Sequence, residues 1–251
     1  FANAGMIAPG HAFAWASPRA PKVLLQSLWR DDTALRFRLK ADPRLWSWSL
    51  KFLGQCTAEK SRRNTLVKLR LCLLSIEEMR RIREVEGFGY DEVLRGALYL
   101  YRDQGLLETG LKNAQLLKDN GVTGIRAIDR AELVRREPAL AAAQDKLAGA
   151  IYSEQDESGD CALFTRRLAE RVEAKGATFL LNRSVTGLKS EKGRVTAVMT
   201  DQGEVTADAY VLSLGSYSPG IARTVGLKVP IYPVKGYSLT IPVGPQHQAP
   251  H

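Results

Sequence analysis

Between Arg62 and Glu86 apolar residues recur at three- and four-residue spacing. Leu66, Leu69, Leu73, Ile76 and Met79 alternate there with Arg and Glu. That spacing puts one apolar stripe along a helix, and Gly87 and Gly89 are expected to stop it. The stretch LWSWSLKFL at 45–53 fits a short helix or an amphipathic surface element. ALYLYR at 97–102 alternates and predicts a strand, with Tyr99 and Tyr101 on one face because side chains alternate with period two. A second helix is predicted from Leu106 to Lys118, ended at Asn120-Gly121. Asp129 and Glu132 have the spacing of a capping box before a short helix that Pro138 closes. Leu147 to Ser153 reads as a strand, EQDESGD as an acidic loop, and Ala162 to Lys175 as a helix capped by Asp160 and ended by Gly176.

After Gly176 the rhythm shortens. ATFLLN at 177–182, SVTGLK and RVTAVMT predict strands, and Lys192-Gly193 and Gln202-Gly203 predict tight turns. Tyr210 to Leu214 is almost continuously apolar, as in a strand covered on both faces, and it runs straight into Gly215-Ser216. A glycine at such a strand end lets backbone approach a ligand closely, and serine hydroxyls with free N–H groups suit phosphate or ribitol oxygens. Alone, a strand ending in Leu-Gly-Ser is a weak signal, since strands more often end in glycine for turn geometry.

Composition narrows the picture. A chain of 251 residues, 45% hydrophobic and 25% charged, suits one large or two modest domains. No apolar run approaches the roughly 20 residues that span a bilayer. Cys56, Cys72 and Cys161 form no metal or redox spacing and read as reduced thiols of a cytoplasmic protein. With only three histidines, a metal site is not expected. The net charge of +9 is concentrated between Arg19 and Arg102, and all four tryptophans, Trp15, Trp29, Trp46 and Trp48, lie near the start. Basic residues mixed with Trp and Leu suit an anionic membrane surface; a solvated basic face over buried Trp is the alternative. No nucleic-acid signature accompanies the charge.

Six ordered stretches, FANAGMIAPG, GALYLYRD, REPAL (136–140), DESGDCALFTRRLAE (156–170), VLSLGSYSP and PVKGYSLTIP (233–242), resemble the bacterial D-amino-acid dehydrogenases. These are FAD-dependent members of the D-amino-acid oxidase and glycine oxidase superfamily. The resemblance implies an α/β plus α+β fold: part of an FAD-binding doubly wound domain with an antiparallel-sheet substrate domain. It divides the chain into an FAD-domain segment (1–20), a substrate domain (21–148), the second half of the FAD domain (149–224) and a return to the substrate domain (225–251). It implies flavin contacts at Asn3, Ala4, Gly5, Val185, Leu214, Gly215, Ser216 and Ser218. Tyr99, Tyr101 and Tyr237 are the candidates for lining the substrate side, against the plainer reading of half-buried packing.

The implied activity is oxidative deamination of D-amino acids to 2-oxo acids and ammonia. Electrons would pass to a quinone-type acceptor, from a cytoplasmic position or one peripheral to the inner membrane. A glycine- or opine-oxidising subunit, and a non-catalytic flavin-free fragment, stay open beside it. The family's G-x-G-x-x-G phosphate loop and its C-terminal third have no counterpart in these residues, which start on Phe1. A complete enzyme is expected to run to roughly 400 residues or more.

Overall fold

The computed structural model describes residues 4–30, 37–38, 40–239 and 241–244. In chain order the elements are β1 (Met6–Ile7), α1 (Ala20–Gln26), α2 (Pro43–Leu53), α3 (Ala58–Glu86), β2 (Ala97–Tyr101), α4 (Gln104–Lys118), β3 (Ile125–Ile128) and α5 (Arg130–Arg136). They continue with β4 (Gly149–Ser153), β5 (Glu157–Ser158), α6 (Cys161–Ala174), β6 (Val185–Glu191), β7 (Arg194–Thr200), β8 (Gly203–Val205) and α7 (Ser218–Arg223). The residues cluster into two units. One comprises Phe1–Ala20, Cys56–Lys175 and Ser238–His251, the other Pro21–Gln55 and Gly176–Tyr237. The units cut across the functional boundaries expected from the sequence: 21–55 clusters with 176–237, and 56–148 with 149–175.

In the first unit, β4 lies between β2 and β3, antiparallel to both. Its side chains alternate between two apolar clusters, as period two requires. Ile151 joins Leu69, Leu107, Leu117 and Ile125 on one side, where Tyr99 and Tyr101 of β2 also pack. Ala150 joins Ile128, Leu133 and Leu147 on the other, with Leu98 and Tyr152. Burial on both faces explains the apolar character of this strand. The predicted helix stops are in place. Gly87 ends α3 at φ 62°, a left-handed position that glycine adopts without cost. Asp129 Oδ1 accepts from Glu132 N–H at 2.7 Å, so half of the expected capping box forms. Arg126 and Arg136 take up the other half, the Glu132 carboxylate.

The second unit holds the meander β6-β7-β8, antiparallel throughout. Its turns fall where the sequence places them, with Lys192 and Gly193 at φ 50° and 78° and Gly203 at φ 112°. Two expected strands do not form. Residues 177–182 and Tyr210 to Leu214 carry no strand pairing, and Leu181 and Val211 are 74% and 89% exposed. An apolar run states what a strand would bury, but the strand itself requires a hydrogen-bonding neighbour, and none of the described strands pairs with either segment. Every strand pairing among the described residues is antiparallel. The architecture is therefore α/β with antiparallel sheets, and α2 stands where 45–53 predicted a short helix.

Candidate functional site

The DESGD run (156–160), expected as an acidic loop, organises the first unit. Asp156 is 1% exposed. Its Oδ1 accepts from Gly10 N–H and Ser153 Oγ–H, each at 2.8 Å, and its Oδ2 from the Tyr99 hydroxyl at 2.5 Å. These bonds satisfy a carboxylate that burial alone would penalise. They also tie the turn at Pro9–His11 to β2 and β4. Burial, then the bond to Asp156, pushes the Tyr99 hydroxyl well above the ordinary phenol range, so Tyr99 remains a donor at neutral pH. His11 stacks on Tyr99 with ring centroids 5.0 Å apart. Burial, then the Lys68 ammonium, lowers the His11 pKa against the opposing pull of Asp156.

The next residue, Glu157, accepts from Arg83 Nη1 at 3.1 Å, and the same nitrogen donates to the Tyr90 hydroxyl at 2.8 Å. Burial opposes the Arg83 charge, but these two bonds outweigh it and hold the guanidinium above its usual pKa. Ser158 pairs with Met6, and Gly159 N–H donates to Gly5 carbonyl oxygen at 2.8 Å. Asp160 caps α6 by accepting from Leu163 N–H at 2.8 Å. These contacts bring β1 and the start of α6 around an apolar cavity of 310 Å³, walled by Ala4, Gly5, Met79, Tyr90, Cys161 and Phe164 among others. Gly5 sits at φ 58°, and a Cβ there would lie 2.2 Å from the Gly159 carbonyl oxygen. Only glycine fits this approach.

The remaining expected residues lie in the second unit, apart from Tyr99 and Tyr101, which pack into the first unit's core, and Asn3, which lies outside the described residues. Val185 opens β6 opposite Thr200 and is 39% exposed. Leu214 precedes a 3-10 turn over Gly215–Tyr217, and Ser218 is buried at the start of α7. Gly215 is at φ 52°, and nothing lies within 4 Å of a Cβ placed there, so the glycine serves backbone conformation and open space. Of these residues Ser216 borders a cleft of 620 Å³, with Arg223 and Lys228 on its walls. Tyr237 is 84% exposed beneath the Lys235 ammonium, 4.9 Å from its ring centre. The structure thus gathers Ala4 and Gly5 at one cavity and Leu214 to Ser218 at one turn. Sequence reasoning missed Asp156, Glu157 and Arg83. The signal was there: four acids in seven residues between a strand and a helix call for partners.

Each unit, taken by itself, has a lining that suits one part of FAD in kind. An apolar ring system suits the first unit's cavity at Ala4–Gly5, while the space a Cβ would take at Gly5 is filled by the Gly159 carbonyl oxygen. A diphosphate suits the Ser216 turn with Arg223 and Lys228 beside it.

The comparisons agree. The chain is 43% identical over 249 residues to "D-amino acid dehydrogenase 2" of Mesorhizobium japonicum, covering 99% of the chain and 60% of that relative. It is 41% identical over 253 residues to a D-amino acid dehydrogenase of Paramagnetospirillum magneticum, covering 100% of the chain and 59% of the relative. The chain thus spans about 60% of the length of these curated relatives. Among solved structures it is similar in fold to L-proline dehydrogenase from P. horikoshii (TM-score 0.57, 22% identity, 64% of this chain and 42% of that one). Glycine oxidase from Geobacillus kaustophilus is similar too (TM-score 0.54, 21% identity, 90% and 48%). The family model described as FAD dependent oxidoreductase matches residues 1–251, and the chain belongs to that family.

Proposed function

We propose that this chain is the central part of an FAD-dependent D-amino-acid dehydrogenase, converting D-amino acids to 2-oxo acids and ammonia. The supporting observation is 43% identity, across 99% of the chain, to a protein of that name. When bound, FAD supplies a hydride acceptor for the Cα–H of an amino acid; water then hydrolyses the imino acid to the 2-oxo acid and ammonia. The residues of this chain bind, orient and exclude water. Ala4 and Gly5 offer a dry wall, held in place through Gly159 and the Arg83–Glu157 pair. Gly215 and Ser216 offer backbone and hydroxyl to the polar part of the cofactor, with Val185, Leu214 and Ser218 beside them in the role implied by the resemblance. Asn3 takes its place with Ala4. Of the three tyrosines named for the substrate side, Tyr99 and Tyr101 pack in the first unit's core, which favours the packing reading for them, and Tyr237 alone keeps the assignment. In this reading residues 149–224 belong to a doubly wound flavin domain and 21–148 to the substrate domain. Electrons pass to a quinone-type acceptor, and the enzyme works against a membrane surface. No described helix is long and apolar enough to cross a membrane.

The test is expression of the full-length coding sequence and assay of a D-amino-acid panel with a soluble quinone analogue. Flavin bleaching by D- but not L-amino acids, with 2-oxo acid formed, is expected. A purified flavoprotein that glycine or an opine bleaches while D-amino acids do not would overturn the reading.

A further inference from the structure

Helix α2 turns one face to the 620 Å³ cleft of the second unit. Arg44, Ser47, Trp48 and Lys51 recur along it at three- and four-residue spacing, and all four line the cleft. With Arg223 and Lys228 on its other walls, four cations share one concavity. Asp42 is the one carboxylate on the lining among the described residues. It accepts from Arg44 N–H at 2.9 Å and from the Tyr232 hydroxyl at 3.1 Å, and it offsets at most one of the four charges. Lys51 and Lys228 have no ion-pair partner among the described residues. Arg223 is braced by Nε, which donates to Pro219 carbonyl oxygen at 2.9 Å, and its terminal N–H groups take no other partner there. Like charges gathered in one cleft repel one another, and an anion that enters gains from all of them. The cleft also has room at its backbone: nothing lies within 4 Å of a Cβ placed at Gly220. Trp48 adds an aromatic wall, stacked on Phe52 at 5.1 Å and 6.0 Å from Tyr232. A single carboxylate would leave most of these cations unmet. A diphosphate presents several anionic oxygens, each able to accept a charge-assisted bond, and an attached nucleoside suits the aromatic wall.

We infer that α2 completes a nucleoside-diphosphate site in this cleft, with Arg44 and Lys51 joining Arg223 and Lys228 on the phosphates. The inference rests on the flavin reading above, since FAD carries such a group; a free nucleoside diphosphate has the same chemistry. The test is calorimetric titration of the 251-residue chain with ADP, pyrophosphate and riboflavin. ADP and pyrophosphate are expected to compete with each other and to bind more weakly as salt rises, while riboflavin displaces neither. Arg44→Gln with Lys51→Gln is expected to lower ADP affinity at least about tenfold. Arg70→Gln with Arg80→Gln, two exposed positions on α3, removes the same charge elsewhere and is expected to leave ADP affinity nearly unchanged. Circular dichroism confirms that each variant folds. FAD is expected to displace ADP from the full-length apoenzyme, which identifies the cofactor's own diphosphate as the occupant. ADP uptake by the flavin-loaded enzyme, lost with the α2 pair, upholds the site and identifies a free nucleotide instead. ADP affinity that the α2 pair leaves unchanged overturns the role of α2. A 251-residue chain and a full-length apoenzyme that both take up neither ADP nor pyrophosphate overturn the site. A full-length protein that neither carries nor takes up flavin sinks the flavin reading alone, because ADP binding is measured without flavin.

Discussion

At the scale of single residues, Asp156 gathers three donors on one buried carboxylate. Asp156→Ala strands the Tyr99 hydroxyl, Ser153 and Gly10 N–H without their acceptor. It should cost about 3 kcal/mol or more, read as a fall in the urea midpoint. An unchanged midpoint would show that the bonds contribute nothing net. Glu132 gives a pH-dependent counterpart. Its bonds to Arg126 and then Arg136 lower its pKa from 4.5 to about 2. A carboxyl depressed in the folded state stabilises that state above its unfolded pKa. The contribution is therefore full above about pH 4.5 and disappears as pH falls toward 2. Glu132→Gln should flatten the pH dependence of unfolding across that window and nowhere else. The Glu132–Arg136 pair has the i,i+4 spacing of helix neighbours and was readable; Arg126 and the donors to Asp156 were not, because spacing shows which residues share a helix face but not which distant donor meets a carboxylate. Tyr99 shows the limit from the other side. Its face on β2 followed from alternation, while its inward bond to Asp156, 57 residues away, did not.

At the scale of elements, local chemistry was readable and pairing was not. Capping residues and turn glycines act within a few positions, so Asp160 before α6, Gly87 after α3 and Lys192-Gly193 between β6 and β7 could be placed from the sequence. Asp160→Ala should cost about 1 kcal/mol by removing the Leu163 N–H acceptor, checked by thermal unfolding. Residues 177–182 and Tyr210 to Leu214 were misread because their apolar pattern reports a preference for burial, while strand formation depends on a neighbour elsewhere in the chain. Gly5 links the element to the site. Gly5→Ala places a methyl 2.2 Å from the Gly159 carbonyl oxygen at a positive φ. It should part β1 from β5 and lower flavin retention in the full-length enzyme. Full flavin content in that variant would show that this cavity is not a flavin wall.

For the whole molecule, the cofactor reading and the residues present set a clear expectation. The 251 residues contain no G-x-G-x-x-G, so a diphosphate lacks the helix N-terminus that commonly receives it. Several charge-assisted hydrogen bonds of about 1.5–3 kcal/mol each would then be missing. This polypeptide should bind FAD orders of magnitude more weakly than a full-length relative. A stoichiometric yellow complex surviving gel filtration would contradict that. The two unpaired apolar segments have a consequence of another kind. AYVLSLGS at 209–216 holds no charge and no proline, and Val211 stands almost fully in solvent. Such a run is a template for strand addition by any other exposed edge, including the same run in a neighbouring molecule. The cost of the missed strand therefore falls on colloidal behaviour: light scattering should rise steeply with protein concentration, and Val211→Lys should suppress it while leaving the far-UV spectrum unaltered.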